Sequence, residues 1–172
     1  ADTAATAAQA IEIAAFKKDV VYDVSDTAAA IAGASDGARN EAVKITASGT
    51  ADVAQATTIA GASNSGSTTI NAITDTAEKL AGSSDPVLTL GGTITADTAA
   101  TAAQADKIAG YAKAVSYDVS DTAAAIAGAN AGARNEAVKI TATTAATVAE
   151  ATTIEGASNS GDNTYDITDS AE

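Results

Sequence analysis

The sequence predicts an α/β fold, a repetitive strand–helix solenoid with a parallel sheet on one side and short Ala-rich helices on another. Three observations carry that expectation. The stretch "YDVSDTAAAIAGA" runs from Tyr22 to Ala34 and returns letter for letter from Tyr117 to Ala129, about 95 positions on. Inside this long repeat sits a shorter grammar, in which a β-prone snippet leads into an Ala-rich run and then a Gly or Ser turn. The third observation is composition: hydrophobic residues make up 46% of the chain but are dominated by Ala, and aromatic residues are only 3%, with one Phe and no Trp. Large side chains fill most of the volume between ordinary packed layers. This chain therefore calls for thin layers whose backbones approach closely over Ala and Gly.

Taken from the N-terminus, "ADTAATAAQA" at Ala1 recurs at Ala96 and predicts a helix over about 2–18 with a twin over about 97–113. Ile13 and Phe16 anchor one, Ile108 and Tyr111 the other. The strand snippets centre on Val24, Ile45, Ile73, Ile94, Val119, Ile140 and Ile167, about 21 to 28 residues apart. That spacing is the length of one strand–helix coil. Alternation such as Val43-Lys44-Ile45-Thr46 favours a strand. Asp26, Asp75, Asp121 and Asp169 each precede a Thr-Ala or Ser-Ala run. They are expected to cap helices by accepting hydrogen bonds from the free N–H groups of the first turn. In "DTAE" (Asp75 to Glu78) and "DSAE" (Asp169 to Glu172) an acid follows three residues later, as in a capping box.

Gly33, Gly61, Gly82, Gly128 and Gly156 lie near the far ends of the Ala-rich runs, where a left-handed terminator is expected. In "SSDPVLTLGGTIT" (Ser83 to Thr95), Pro86 fits a strand start, and Gly91-Gly92 a bulge or a break. Further along, "GARNEAVKITA" from Gly37 matches Gly132 onward, and "GASNSG" at Gly61 matches Gly156. No linker is long enough to divide the chain. The expectation is one repeat array over 1–172, built of 1–95 and an incomplete second copy, 96–172. One strand–helix coil cannot bury both of its faces, so neighbouring coils must cover them.

The same residues exclude several functions. With no Cys and no His, disulfide frameworks, Zn-finger spacings, thiol nucleophiles and His acid/base chemistry are out of reach. A net charge of −13 argues against nucleic acid, because phosphate binding needs clustered Lys and Arg. No apolar run approaches the roughly 18 residues a membrane span requires. No signal peptide is visible and the chain starts at Ala1 without Met, which reads as a processed form or a segment of something longer.

Recurring Asp residues raise calcium binding, with Asp36 in "SDG" and Asp162 and Asp166 in "SGDNTYD" as the weak candidates. Neither the EF-hand loop nor the glycine-rich nonapeptide is present, and Asp36 becomes Ala131 in the second copy. Helix caps and a solvated acidic surface account for these acids better. Thr93-Ile94-Thr95 and Thr141-Ala142-Thr143 raise ice binding, but most strands lack a paired outward Thr. In "GARNEA", Arg39, Asn40 and Glu41 with their twins Arg134, Asn135 and Glu136 lack a nucleophile, and Arg is not a base at neutral pH. Their expected role is to tie neighbouring turns.

At Val24 to Ala32, Val119 to Ala127 and Val138 to Ala151 the chain resembles the tandem Ala/Thr-rich "VSDTAAxIA"-type repeats of giant cell-surface proteins of cyanobacteria and other aquatic bacteria. The resemblance implies an extracellular or cell-surface, repetitive, non-enzymatic segment with adhesive, S-layer or fibre roles. It carries over no catalytic residue and no cofactor. The leading expectation is a structural segment of a bacterial surface filament, adhesin or lattice. The alternative is a calcium- or glycan-binding surface module. The chain breaks off at "ITDSAE" (Ile167 to Glu172), where the earlier copy runs on from Ile73 to its next decamer, and Ala1 begins at that decamer. Both ends therefore cut through the repeat. The expected partner is the chain itself, as a head-to-tail homopolymer or a continuation of the same polypeptide.

Overall fold

The computed structural model describes residues 3–16 and 19–169. In chain order the first long repeat forms α1 (Ala7–Ala14), β1 (Val24–Thr27), α2 (Ala28–Gly33), α3 (Asp36–Asn40), β2 (Ile45–Ala51), α4 (Val53–Ala60) and β3 (Thr68–Asp75). Then come α5 (Ala77–Ala81), α6 (Asp85–Leu88) and β4 (Gly91–Ala96). The second copy gives α7 (Ala102–Ile108), β5 (Val119–Asp121), α8 (Ala123–Gly128), α9 (Ala131–Asn135), β6 (Ile140–Ala142), α10 (Val148–Glu155) and β7 (Asn163–Thr164). The result is a mixed α/β structure with parallel sheets and short helices.

The chain divides into two compact units, one made of Ala1–Thr74 with Ser84–Ile94 and the other of Asp75–Ser83 with Thr95–Glu172. In the first, strands run in the order β1-β2-β3-β4, each neighbour in sequence also a neighbour in the sheet. Parallel pairing places Val24 beside Ile45 and Ile45 beside Thr68. Parallel neighbours need a crossover rather than a hairpin, and the Ala-rich segments supply it. Helix α1 packs on α3, α2 on α4, and α4 on α6. Ile31, Ile45, Ile59 and Ile73 are completely shielded between the strands and these helices. Small Ala residues such as Ala10, Ala28 and Ala56, all buried, let the helices lie close.

The second unit repeats the plan with a sheet ordered β5-β6-β7, Val119 beside Ile140 and Ile140 beside Asn163. Helix α5 packs on α7, α7 on α9, and α8 on α10. Its core residues include Leu80, Ile108, Ile126, Ile140 and Ile154.

Several expectations need correction. The two long helices are shorter than 2–18 and 97–113, because Ala5 and Ala100 are rungs of the sheets, bridged to Val24 and Val119. The helices can start only after those rungs. Pro86 is in the first turn of α6, not at a strand start, a place where its missing N–H costs nothing. Gly91 and Gly92 lie within continuous β4. The irregularity falls instead between Ala47 and Thr50 of β2, where Gly49 has φ 71°, the one positive φ among the described residues. Gly61, Gly82 and Gly156 end helices in right-handed conformation, their N–H groups bonded to carbonyls of the last turn. Ile73 does not share a column with Val24 and Ile45: Ile45 pairs with Thr68, and Ile73, five residues further along β3, pairs with Ala51 beyond the irregularity in β2.

Candidate functional site

The recurring polar residues form a set of fasteners on the backbone. The aspartates expected to be N-caps stand one residue too early. The caps are Thr27, Thr76 and Thr122, whose hydroxyls accept from the N–H groups of Ala30, Lys79 and Ala125. The preceding strand runs through or up to the threonine, so Asp26, Asp75 and Asp121 belong to the sheet. Each still serves the helix start at one remove, accepting from the backbone N–H of its own cap threonine at 2.7 to 2.8 Å.

The second carboxylate oxygen reaches further. Asp26 Oδ2 accepts from Ala7 N at 3.0 Å, Asp121 Oδ2 from Ala102 N at 3.0 Å, and Asp169 Oδ2 from Val148 N at 3.1 Å. Those amides open α1, α7 and α10. Two threonines do the same: Thr98 Oγ1 accepts from Ala77 N, and Thr144 Oγ1 from Ala123 N. In every case the acceptor comes 19 to 21 residues after the amide. In these five cases a later segment thereby supplies an acceptor to the start of an earlier helix. The first N–H groups of a helix have no partner within it, and a carboxylate there also meets the positive end of the helix dipole. The run that starts at Asp169 lies largely outside the described residues.

The "GARNEA" residues fasten the opposite helix ends. Arg39 Nη1 donates to the carbonyls of Ile31, at 3.2 Å, Ala32, at 3.0 Å, and Ala34, which close α2. Arg134 repeats this on Ile126, Ala127 and Ala129. Arg39 is buried, a place a guanidinium tolerates only because its donors are taken up. Asn40 accepts from Ser63 N at 2.9 Å and Asn135 from Ser158 N at 3.0 Å, each amide 23 residues later. Arg39 and Asn40 lie in α3, with Glu41 as its terminal residue, so a short helix replaces the expected turn.

Of the calcium candidates, Asp36 is ion-paired with Arg39 and its side chain is otherwise exposed. Asp162 and Asp166 are exposed, and what they contribute is main-chain carbonyls, to Ile140 N and Ala146 N. Among the described residues no group of three or more acidic side chains is gathered to hold a cation. Lys79 pairs with the buried Asp75 at 3.0 Å.

Sequence reasoning missed two sets of residues. The first is the capping boxes Thr6/Gln9, Asp52/Gln55, Thr101/Gln104 and Thr147/Glu150. Their signal, a Thr or Asp three residues before Gln or Glu, was present in the decamer itself. The second is the buried tyrosines. Tyr22 and Tyr117 donate to the carbonyls of Ala38 and Ala133 at 3.1 Å. Burial, with Glu41 nearby, raises the Tyr22 phenol above its ordinary range. Burial, with Glu136 and Asp106, raises that of Tyr117 further.

No protein-family profile, curated protein or solved structure matches this chain. None of the described helices is long and apolar enough to cross a membrane.

Proposed function

We propose that the chain is a structural, non-enzymatic repeat segment of an extracellular bacterial surface filament, adhesin or S-layer-like assembly, whose coils continue as a solenoid stacked end to end. One observation carries this reading. The amide that opens a helix is accepted five times by a side chain 19 to 21 residues later, Asp in three cases and Thr in two. The residues that recur in the repeat fasten one coil to the next, and the same fastening would serve any number of coils. A repeat whose polar residues answer to its own backbone has no need of a small-molecule substrate. The absence of Cys and His fits the same reading, as it removes the commonest nucleophile and acid/base groups.

Antibody raised against the purified chain tests the location. Surface labelling of intact cells of the producing bacterium, in strands or a lattice, is the expected result. Labelling that appears only after lysis would overturn it.

A further inference from the structure

Gly49 has φ 71°, a left-handed conformation that glycine adopts freely. It sits where β2 departs from register. Ala47 pairs with Ile70 and Thr50 with Ala72, so Ser48 and Gly49 stand opposite Asn71 alone. A bulge of this kind re-aims the side chains beside it. The long repeat supplies an internal comparison. The second copy has Thr143, Thr144 and Ala145 in place of Ser48, Gly49 and Thr50. It also has one residue fewer between Thr164 and Ile167 than the first copy has between Thr69 and Ile73. Thr144 commits its hydroxyl to the amide of Ala123, and β6 stops at Ala142. The glycine, the extra residue and the longer strand of the first copy therefore meet at one place.

That place is an open groove of about 460 Å³, lined on its polar side by Thr46, Ser48, Gly49, Thr69 and Asn71. Ser48, Thr69 and Asn71 are exposed. No charged side chain lines the groove, although the chain carries −13. The fasteners described above serve the backbone, and Ser48 does so here, its Oγ donating to Asp26 O at 3.1 Å. The others differ. Among the described residues the hydroxyls of Thr46 and Thr69 and the side-chain amide of Asn71 have no partner.

We infer that this groove binds a neutral oligosaccharide. Hydroxyl and carboxamide groups both donate and accept hydrogen bonds, which matches sugar hydroxyls that do the same. An uncharged lining offers nothing to hold a carboxylate or sulfate, and the acidic chain repels both. The groove is shallow, so the expected Kd is about millimolar. This site adds a ligand to the structural role proposed above and does not depend on end-to-end stacking.

The test is a titration of the nitrogen-labelled full chain with maltotriose, cellotriose and chitotriose, followed by amide chemical shifts. At least one of the three is expected to shift residues 46–49 and 69–71, saturating by about 10 mM. Their twins at 141–144 and 164–165 are expected to stay in place, and trigalacturonate to shift neither set. Asn71→Ala and Thr69→Val, both at exposed positions, should each weaken binding about fivefold with circular dichroism unchanged. No shift with any of the three neutral sugars would overturn the site. So would equal shifts in both copies, binding that survives both substitutions, or tighter binding of trigalacturonate.

Discussion

Asp26 and Asp121 each hold two amides, one on the following threonine and one at the start of an earlier helix. Replacing either with Ala leaves both N–H groups without that acceptor and should cost about 0.5–2 kcal/mol, the usual worth of a helix cap. For a chain of this size that lowers the melting temperature by about 2–4 °C per kcal/mol. Asp26→Asn is the informative companion. Its one carbonyl oxygen serves one amide and not the other, so the loss should fall between wild type and Asp26→Ala in urea melts. Equal losses for Asn and Ala would show that the carboxylate's second bond contributes nothing. Tyr22 and Tyr117 set the behaviour at high pH. Both phenols are raised above the unfolded value of about 10, with burial as the main cause. A raised folded-state value means the neutral form is the one the fold favours. The stability they contribute is therefore complete below about pH 10 and is lost as pH rises through the folded values. Alkaline titration followed by phenolate absorbance should show Tyr22 and Tyr117 among the tyrosines that ionise late, together with unfolding. Four tyrosines that ionise in one ordinary step would contradict this.

At the scale of elements, glycine separates positions that need a missing side chain from those that merely tolerate one. A Cβ on Gly66 would fall 2.6 Å from the carbonyl oxygen of Val43, and one on its twin Gly161 would come closer still to that of Val138. Gly33, the last residue of α2, has nothing within 4 Å of such a Cβ. Gly66→Ala and Gly161→Ala should each destabilise by about 1–3 kcal/mol, as overpacking does. Gly33→Ala should be neutral or stabilise by up to about 1 kcal/mol through helix propensity. Thermal melts of the three variants check the order, and a reversed order would refute the packing described. The strands were largely legible in the sequence because β-branched residues recur at coil spacing. Val24, Ile45, Ile73, Ile94, Val119 and Ile140 all lie in strands, and Ile167 forms a single bridge to Ala146. The helix starts were displaced by one residue, since Asp and Thr are both good caps and only the path of the strand decides between them. The Ala5 and Ala100 rungs were illegible for another reason. Ala is the best helix former, and the strands at Val24 and Val119 were needed to draw these two residues into a sheet. Nor could composition place the fasteners. An Asp that serves a helix about 20 residues back is indistinguishable, in sequence, from one that serves the helix ahead.

At the scale of the whole molecule, the proposed function requires parallel-sheet units that go on stacking in one direction. Its central claim is the end-to-end solenoid, and a single kind of growth follows from it. Particles should lengthen with concentration while their cross-section stays constant. The acidic chain, at −13, should resist this growth at low salt and permit it once screening shortens the reach of the charges. Small-angle X-ray scattering across a concentration series, at two ionic strengths, is the measurement that tests this most directly. The account predicts a cross-sectional radius that does not change and a maximum dimension that rises in steps of about one copy. A compact particle whose dimensions are the same at every concentration and salt, or one that thickens as it grows, would contradict it.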